Sequence, residues 1–266
     1  MSLNIDLSGK VVLVTGGTRG VGRGTVTRFL EAGAHVEICG RTEPAGEDLP
    51  VVDGRRPEFR SLDVRNPDEI QTWVDDVVAR RGRIDVVVNN AGGSPFSRFE
   101  DGSPRYQRAI VELNFLSAAF LCRAAYPHLR AARGSVVNIT SISARRPSPG
   151  TAVYGAAKAA LESLTQTLGA EWAPDVRVNA VSSGLVETES ALEHYGDAEQ
   201  LARVAATIPR GRLADPLEIG GACVLLASSL AAHITGAVVP VDGGGEWPAF
   251  LAHTPNADIF RHEGAE

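Results

Sequence analysis

Six short runs rich in β-branched residues alternate along the chain with longer helical patterns, and this alternation most constrains the fold. The runs are apolar at both odd and even positions, which is typical of parallel strands covered by helices on both faces. They lie at residues 10–14, 35–40, 84–88, 135–140, 176–181 and 237–241. Helical patterns lie at residues 20–32, 67–81, 105–131, 151–172 and 216–229. The alternation predicts an α/β fold with one doubly wound, mostly parallel sheet and right-handed crossovers.

Two of the helices have clear start signals. Asn66 followed by Pro67 predicts a capped helix with proline at its first position. Asp215 with Glu218 three residues later predicts a capping box.

The chain contains no linker rich in proline, glycine or serine that would separate two domains. We therefore expect one catalytic domain over residues 1–246, with a substrate loop near 185–210. Residues 247–266 form a C-terminal tail that must find a neighbour or stay mobile. Residues 41–57 contain three prolines and two glycines where a crossover helix would be expected, and they predict a loop.

Composition excludes several classes of protein. The net charge of −6 and the pI near 5.6 disfavour a nucleic-acid partner. The three cysteines (Cys39, Cys122 and Cys223) are widely spaced, which indicates a reducing, cytoplasmic compartment. No histidine pair has metal-ligand spacing, so we expect no metal. Residues 220–241 approach the length of a membrane span, but their serines, His233 and Pro240 favour a buried helix followed by a buried strand, and we expect no membrane partner.

A glycine-rich turn, TGGTRGVG at residues 15–22, follows the first strand. Glycine permits a tight turn and a close approach of backbone N–H groups to a pyrophosphate, so the turn predicts dinucleotide binding. A tight βα turn without a ligand is the alternative. The residues that we expect to bind the cofactor here are Gly16, Thr18, Arg19, Gly20, Val21 and Gly22.

The end of the second strand indicates which nicotinamide cofactor is bound. An acidic residue there would hold the 2′-hydroxyl of NAD(H), but the strand ends in Gly40 and Arg41. Arg41 and Arg19 could hold the 2′-phosphate of NADP(H), which we favour; NAD(H) remains the alternative if both arginines are solvated. Glu37, in the middle of this strand, needs a partner that the sequence does not identify.

Tyr154 and Lys158 are the strongest candidates for catalysis. Their i, i+4 spacing places both on one helix face, and Lys158 is one of only two lysines in the chain. An ammonium beside the phenol favours the phenolate, so we expect a lowered Tyr154 pKa and general acid–base catalysis. Ser141 ends a strand and could hold a carbonyl oxygen. Asn114 is an amide in an apolar helix, which needs hydrogen-bond partners or water if it is buried.

Together these motifs resemble the classical short-chain dehydrogenase/reductase family along nearly the whole chain. Further matching pieces are Asp63-Val64, NNAG at residues 89–92 and VDGG at residues 241–244. The resemblance implies about seven parallel strands and hydride transfer between a nicotinamide and a carbonyl or alcohol carbon. It implies Tyr154 as acid/base, with Ser141 positioning the substrate oxygen. Lys158 would lower the tyrosine pKa and bind the ribose, and Asn114 would anchor a water that relays protons.

The resemblance also implies further binding residues and an assembly. Asp63 and Val64 resemble the pair that holds adenine, although a strand-end cap is the alternative for Asp63. Near the ribose and the carboxamide, the matching residues are Asn89, Ala91, Gly92, Val186 and Thr188. The small-residue faces of residues 105–131 and 151–172 resemble the family's dimer interface, and we expect a homotetramer.

The chain departs from the family at Ser183, where proline usually precedes the glycine at 184, and this leaves the shape of the substrate loop open. The substrate pocket is expected from residues 93–99, 142–150 and 185–210. These segments offer Phe96, Phe99, Ile142, Arg145, Arg146, Leu192 and Tyr195, with His194 either in the pocket or on the surface. A ketone or secondary alcohol fits this pocket. A cofactor-sensing protein without catalysis is the rival hypothesis from another class.

Overall fold

A computed structural model describes residues 5–45 and 49–255, with all side chains in these ranges except those of residues 193, 194 and 252. Seven parallel strands form one sheet in the order β3-β2-β1-β4-β5-β6-β7. The strands are β1 Val11–Thr15, β2 His35–Gly40, β3 Glu58–Ser61, β4 Val86–Asn89, β5 Ser135–Ser141, β6 Arg177–Ser183 and β7 Val238–Val241. The helices are α1 Gly20–Glu31, α2 Pro67–Arg81, α3 Pro104–Val111, α4 Ser117–Ala132, α5 Ala152–Glu171, α6 Ala191–Tyr195, α7 Ala198–Ala206 and α8 Pro216–Ala227.

Both faces of the sheet are covered, as the apolar runs predict. Val12 and Val14 of β1 belong to a core shared with α1 and α8. Val11 and Leu13, at the alternate positions, belong to a second core shared with α2 and α4. The expected doubly wound α/β fold is therefore confirmed.

Both predicted helix starts are confirmed. The Asn66 side chain accepts a hydrogen bond from Asp68 N at the start of α2, and Pro67 occupies the first helical position. Asp215 and Glu218 form the capping box of α8, with Asp215 N donating to Glu218 Oε2 over 2.8 Å.

Three elements differ from what the sequence pattern predicts. Strand β3 was missed because the run Glu58–Ser61 is short and polar and lies at the edge of the sheet. Helices α6 and α7 lie within the expected substrate loop. The single helix expected at 105–131 is divided into α3 and α4 by a π-helical turn, Glu112–Leu116.

Two arginines of α2 explain both the buried Glu37 and the charged strand β3. Glu37 is 1% exposed and accepts hydrogen bonds from Arg80 Nη2 over 2.9 Å and from Arg81 Nε over 3.0 Å. The same two guanidinium groups bind Glu58 of β3. A buried carboxylate in β2 thus gains its partners from the helix that also holds the edge strand in place.

The connection between β2 and β3 contains no helix in its described part, residues 41–45 and 49–57, which agrees with the predicted loop. Val52 and Arg55 exchange two backbone hydrogen bonds of 2.9 Å across a tight turn. The β2–β3 edge of the sheet is therefore bordered by a loop.

The C-terminal tail begins against the substrate loop. Trp247 N donates to Thr207 O over 2.8 Å, and a 3₁₀ turn follows at Ala249–His253. The tail from residue 256 onward lies outside the described residues. Of the two expected outcomes, a neighbour or mobility, the described start of this segment has a neighbour at Thr207.

Apolar length alone does not define a membrane segment in this chain. Residues 220–241 contribute to α8 and to β7, which is a half-exposed edge strand instead of the buried strand expected from sequence. In the described chain, the helical run Pro104–Ala132 has the length and apolar composition of a span. Its residues Leu121 and Leu129 pack into the core beneath the sheet, as in an outer-layer helix.

Helices α1 and α8 cross at glycines, and this close contact predicts a large difference between two neighbouring substitutions. A Cβ at Gly220 would lie 2.6 Å from Gly24 O, whereas a Cβ at Gly221 would have nothing within 4 Å. We expect Gly220→Ala to lower the free energy of unfolding by about 1–3 kcal/mol because the two helices must separate. Gly221→Ala gains the same helix propensity without the clash, so it should raise the free energy of unfolding by up to about 1 kcal/mol. Urea denaturation measures both; equal effects would contradict the helix contact.

Candidate active site

The carboxyl ends of the parallel strands open into a cleft of about 760 Å³. The cleft lies where the strand order reverses between β1 and β4, the usual ligand position in such sheets. Most of the residues predicted to bind the cofactor line it, namely Gly16, Thr18, Arg19, Gly20, Val21, Gly22, Arg41, Asp63, Val64, Ala91, Gly92, Tyr154, Lys158 and Thr188. Ser141 lines it as well.

The glycine turn is shaped to receive an oxyanion. Gly16 and Gly20 have positive φ angles of 66° and 51°, and a Cβ at Gly22 would lie 2.6 Å from Asn90 Nδ2. The N-cap residue of helix α1, Arg19, makes no side-chain cap bond, and the first turn contains no acidic residue, so most of the N-terminal N–H groups are open to a ligand. Glu189 uses one of them, since its Oε2 accepts from Gly20 N over 2.9 Å. The donor set and the space fit a pyrophosphate.

Three arginines, Arg19, Arg41 and Arg65, line the end of the cleft that is remote from Tyr154. Arg65 donates from Nε to Asp63 over 3.0 Å, and these hydrogen bonds hold the pKa of the Asp63 carboxyl below its usual range. Asp63 Oδ1 also accepts from Arg65 N over 3.0 Å, so the carboxylate closes a turn after β3. Arg19 and Arg41 are exposed and form no ion pair within the described part of the chain.

The two asparagines of the NNAG motif have different roles. Asn89 is buried, and its Nδ2 donates to Asn138 Oδ1 over 2.8 Å within the sheet, so its side chain does not line the cleft. Asn90 lines the cleft instead. Its Nδ2 donates to Thr15 O over 2.8 Å and to Gly16 O over 3.0 Å, which fixes the glycine turn.

Asn114 lies in the π-helical turn, a feature common at functional sites. It is 1% exposed; its Nδ2 donates to Ile110 O and to Gly93 O, both over 2.9 Å, and its Oδ1 accepts from Gly93 N over 2.8 Å. A Cβ at Gly92 would lie 2.7 Å from Asn114 Oδ1 and 3.1 Å from Lys158 Nζ. Glycine at 92 therefore lets the backbone lie close to both the amide oxygen and the ammonium group.

The structure brings Ser141, Tyr154 and Lys158 together at the inner end of the cleft. Lys158 is 3% exposed; its Nζ donates to Ile139 O over 2.8 Å and lies 5.8 Å from the centroid of the Tyr154 ring. Burial lowers the pKa of Lys158 to about 8. Burial also raises the pKa of Tyr154, against a smaller lowering by the hydrogen bond with Ser141. In the protein alone the tyrosine pKa thus moves opposite to our expectation, because desolvation of the phenolate outweighs the favourable contact.

The last residue of β6 and the segment that follows it are each fixed by pairing with another part of the chain. Ser183 is buried, pairs with Val241 of β7, and its Oγ donates to Gly184 O over 3.1 Å. Serine at 183 thus continues strand β6. Proline, the residue usual at this position in the family, has no backbone N–H group. Val186 is buried in a bridge to Ala214 and, unlike Thr188, is not a lining residue.

The segments expected to form the substrate pocket combine exposed aromatic groups with paired charges. Phe96 is 74% exposed and covers Gly150, where a Cβ would overlap its ring. Phe99 and Leu192 are also exposed. Arg146 pairs with Glu246 over 2.8 Å, so this guanidinium already has a carboxylate partner before any anionic substrate binds.

Tyr195 lies close enough to Tyr154, Arg146 and Glu246 for their charges to act on it, and burial raises its pKa. This places the C-terminal end of α6 near the reacting groups. The His194 side chain lies outside the described set.

Sequence reasoning missed Asn90, Arg65 and Glu189 as cleft residues. Asn90 could have been found, because an amide next to a glycine turn is suited to bind its carbonyls. Arg65 and Glu189 are polar residues in loops and carry no comparable signal.

Comparisons with known proteins show which class of enzyme this protein belongs to. Residues 16–246 match the family model described as enoyl-(acyl carrier protein) reductase. The chain is 36% identical to an L-fucose dehydrogenase from Oryctolagus cuniculus, over 92% of this chain and 88% of that protein. It is also 36% identical to a 3-oxoacyl-(acyl-carrier-protein) reductase from Chlamydia muridarum, over 91% of this chain and 99% of that protein. The protein is an oxidoreductase that acts on CH–OH donors.

A solved structure narrows the class to a family. The ligand-free aldohexose dehydrogenase of Thermoplasma acidophilum superposes with a TM-score of 0.83 at 30% identity, over 91% of this chain and 95% of that one. The chain belongs to the classical short-chain dehydrogenase/reductase family, and its use of NAD(P) follows from that membership.

Proposed function

We propose that the protein transfers a hydride between NADP(H) and the carbon of a ketone or secondary alcohol, with Tyr154 as general acid and base. One observation carries the proposal: Ser141, Tyr154 and Lys158 line the same cleft as the glycine turn. A single elongated ligand can therefore bind the turn through its phosphates and reach the phenol with its other end.

In the direction of reduction, the carbonyl oxygen accepts hydrogen bonds from Ser141 Oγ and Tyr154 Oη. The chemistry that NADP(H) would supply when bound is hydride transfer to the carbonyl carbon, or hydride uptake in the reverse direction. Tyr154 gives its proton to the oxygen as negative charge develops there, and the product leaves as an alcohol. Lys158, held by Ile139 O, stabilises the phenolate that remains.

Proton return to Tyr154 passes through Lys158 in this scheme. Asn114 Oδ1 and Lys158 Nζ both lie beside Gly92, and each of these groups can bind a water molecule. A Lys158 pKa of about 8 allows this group to gain and lose a proton near neutral pH. Asn114 then acts by holding the relay water.

The choice of NADP(H) rests on the far end of the cleft. Arg19 and Arg41 line it, and β2 ends in Gly40 without an acidic side chain. Glu37 is committed to Arg80 and Arg81, so it does not serve the ribose. Asp63 and Val64 would border the adenine, while Gly16, Val21 and Thr188 would border the pyrophosphate and the nicotinamide.

Cofactor titration is the first test. The fluorescence of the bound reduced nicotinamide is followed while NADPH and NADH are added separately. Tighter binding of NADPH supports the two-arginine assignment, and tighter binding of NADH refutes it.

Turnover is then followed by nicotinamide absorbance with ketones, diketones, aldoses such as L-fucose and 3-oxoacyl thioesters. The last two classes are included because of the names of the relatives. Consumption of NADPH with a ketone, or its formation from a secondary alcohol, supports the reaction. Tight cofactor binding without turnover across the panel would favour a dinucleotide sensor instead.

We also assign residues 1–246 to the catalytic domain and residues 247–266 to the tail. A cytoplasmic location is supported by Cys39, Cys122 and Cys223, which are buried and free. The described residues contain no cluster suited to a metal ion.

We expect a homotetramer in solution. The segment from α8 to the edge strand β7 exposes Leu225, Leu230 and Ile234, at 44%, 51% and 39%. Apolar groups beside an open sheet edge are typical of an interface between subunits. Light scattering at micromolar concentration should give four times the chain mass of 28.1 kDa; a monomer would refute the assembly.

A further inference from the structure

Glu162 is a buried carboxylate that the reaction scheme does not use. It follows Tyr154 and Lys158 on α5 at successive intervals of four residues, so the three side chains lie along one face of the helix. Glu162 is 9% exposed. A carboxylate at this depth requires partners, and its partners show what it does.

Each oxygen of Glu162 binds a residue that flanks Ser141. Oε1 accepts from Thr140 Oγ1 over 3.1 Å, immediately before Ser141 in β5. Oε2 accepts from Arg145 Nε over 2.9 Å, four residues after Ser141 and beyond the 3₁₀ turn Ile142–Ala144. Glu162 therefore ties the helix of Tyr154 to both ends of the segment that carries the serine.

Two other contacts hold this segment: Ser141, the last residue of β5, pairs with Ser183 of β6, and Ser148 Oγ donates to Ser143 Oγ over 3.2 Å. The remaining bonds lie within the turn. The Ser141 side chain accepts from Ser143 N over 3.2 Å, and Arg145 N donates to Ile142 O over 3.0 Å, so these bonds are internal to the turn. Gly155 packs against Ser143 O, where a Cβ would lie 2.7 Å away, but this is a steric contact only. Thr140 Oγ1 has a second, longer acceptor in Val181 O at 3.4 Å and can turn toward it when Glu162 is absent.

We propose that Glu162 is a positioning residue: its bonds to Thr140 and Arg145 hold Ser141 Oγ beside the phenol of Tyr154. Glu162 touches neither substrate nor cofactor and acts through Ser141. The role rests on the proposed function, in which Ser141 and Tyr154 share the substrate oxygen.

Glu162→Gln tests the role with a side chain of the same shape. The amide oxygen can still accept from Thr140, but the amide N–H₂ would face the Arg145 donor, so the tie after Ser141 is lost. We expect kcat to fall on the order of tenfold to a hundredfold because two reacting groups lose alignment. The NADPH affinity should stay at the wild-type value, since Glu162 does not line the cleft.

Asp175→Asn is the matched control. Asp175 accepts from Arg130 Nε over 3.0 Å, so the same type of ion pair is removed at a remote place between α4 and β6. The control should keep wild-type kcat. Equal kcat values for Glu162→Gln, Asp175→Asn and the wild type would overturn the proposal, even if both variants lose thermal stability.

Arg145→Gln supplies a second variant if Glu162→Gln does not fold. The Arg145 side chain is half exposed, whereas that of Glu162 is mostly buried. Replacing Arg145 therefore removes the same bond between Arg145 and Glu162 by changing the more exposed partner. A drop in kcat like that expected for Glu162→Gln supports the role; a wild-type kcat overturns it.

A measurement without turnover separates this inference from the proposed function. The ultraviolet absorbance of tyrosinate is titrated with pH in cofactor-free protein, and subtraction of the Tyr154→Phe titration isolates Tyr154. The hydrogen bond with Ser141 lowers the Tyr154 pKa, so its loss in Glu162→Gln should raise that pKa further. An unchanged titration overturns the positioning role. A raised pKa in a protein that turns over no substrate would support the positioning role while the proposed function fails.

Discussion

Replacing Tyr154 with phenylalanine should lower kcat by about 10²- to 10⁴-fold, the range that general acid–base transfer typically contributes. In this scheme the group that gives a proton to the substrate oxygen is the phenol of Tyr154, which lies next to Ser141. Because the ring and its packing are kept, the affinity for NADPH should stay close to that of the wild type. Stopped-flow absorbance of the nicotinamide measures the chemical step, and fluorescence titration measures the affinity.

Tyr126→Phe is the matched control for this substitution. Tyr126 packs on Trp172 with ring centroids 4.6 Å apart, away from the cleft, so its hydroxyl has no part in the reaction. Retention of activity in Tyr154→Phe would remove the phenol from the mechanism. Equal losses in both variants would point to a general effect of tyrosine replacement on the fold.

The burial of Tyr154 and Lys158 gives this prediction its physical basis. Desolvation disfavours both charged forms, which raises the pKa of Tyr154 and lowers that of Lys158 to about 8. An ammonium and a phenolate in the same dry pocket stabilise each other, so each needs the other to be charged. The sequence spacing predicts that the two side chains lie near each other, as they do, but it could not give the depth of burial that sets the direction of each shift.

The fold was predictable where local and global preferences agree. Buried strands such as β1 and β5 are apolar on both faces, and α2 has both a cap and an acidic first turn. Strand β3 was not predictable, because its charged residues are held by Arg80 and Arg81 of a helix that follows later in the chain. Such an ion-pair contact between distant residues leaves no periodic pattern.

In the candidate site, too, some residues are predictable from local motifs and others are not. Tyr154, Lys158 and the glycine turn are local motifs, and all lie in one cleft. Asn89 was assigned to the cofactor because NNAG matches the family motif, and only the pleat of β4 decides that its side chain points away from the cleft toward Asn138. The bond between Glu162 and Arg145 spans 17 residues and depends on how α5 packs on β5. These features follow from tertiary packing.

At the other end of the cleft, Arg41→Ala should weaken NADPH binding by about tenfold to a hundredfold, the loss expected for one or two charge-assisted hydrogen bonds. NADH has a hydroxyl where NADPH has the 2′-phosphate, so its affinity should change little. Arg41 lines the cleft directly after β2, and its exposed side chain is free to turn toward the phosphate. Fluorescence titration with each nucleotide measures the ratio of the two affinities.

Arg56→Ala controls for the change in net charge. Arg56 belongs to the same β2–β3 connection and is exposed, but it does not line the cleft. Long-range attraction of an anionic nucleotide would be reduced equally in both variants, whereas the loss of a direct contact is specific to Arg41→Ala. Equal losses of NADPH and NADH affinity in Arg41→Ala would remove the 2′-phosphate contact. The proposed chemistry at Tyr154 would then stand with NAD(H) as the cofactor, because the glycine turn and the catalytic residues bind parts that both nucleotides share.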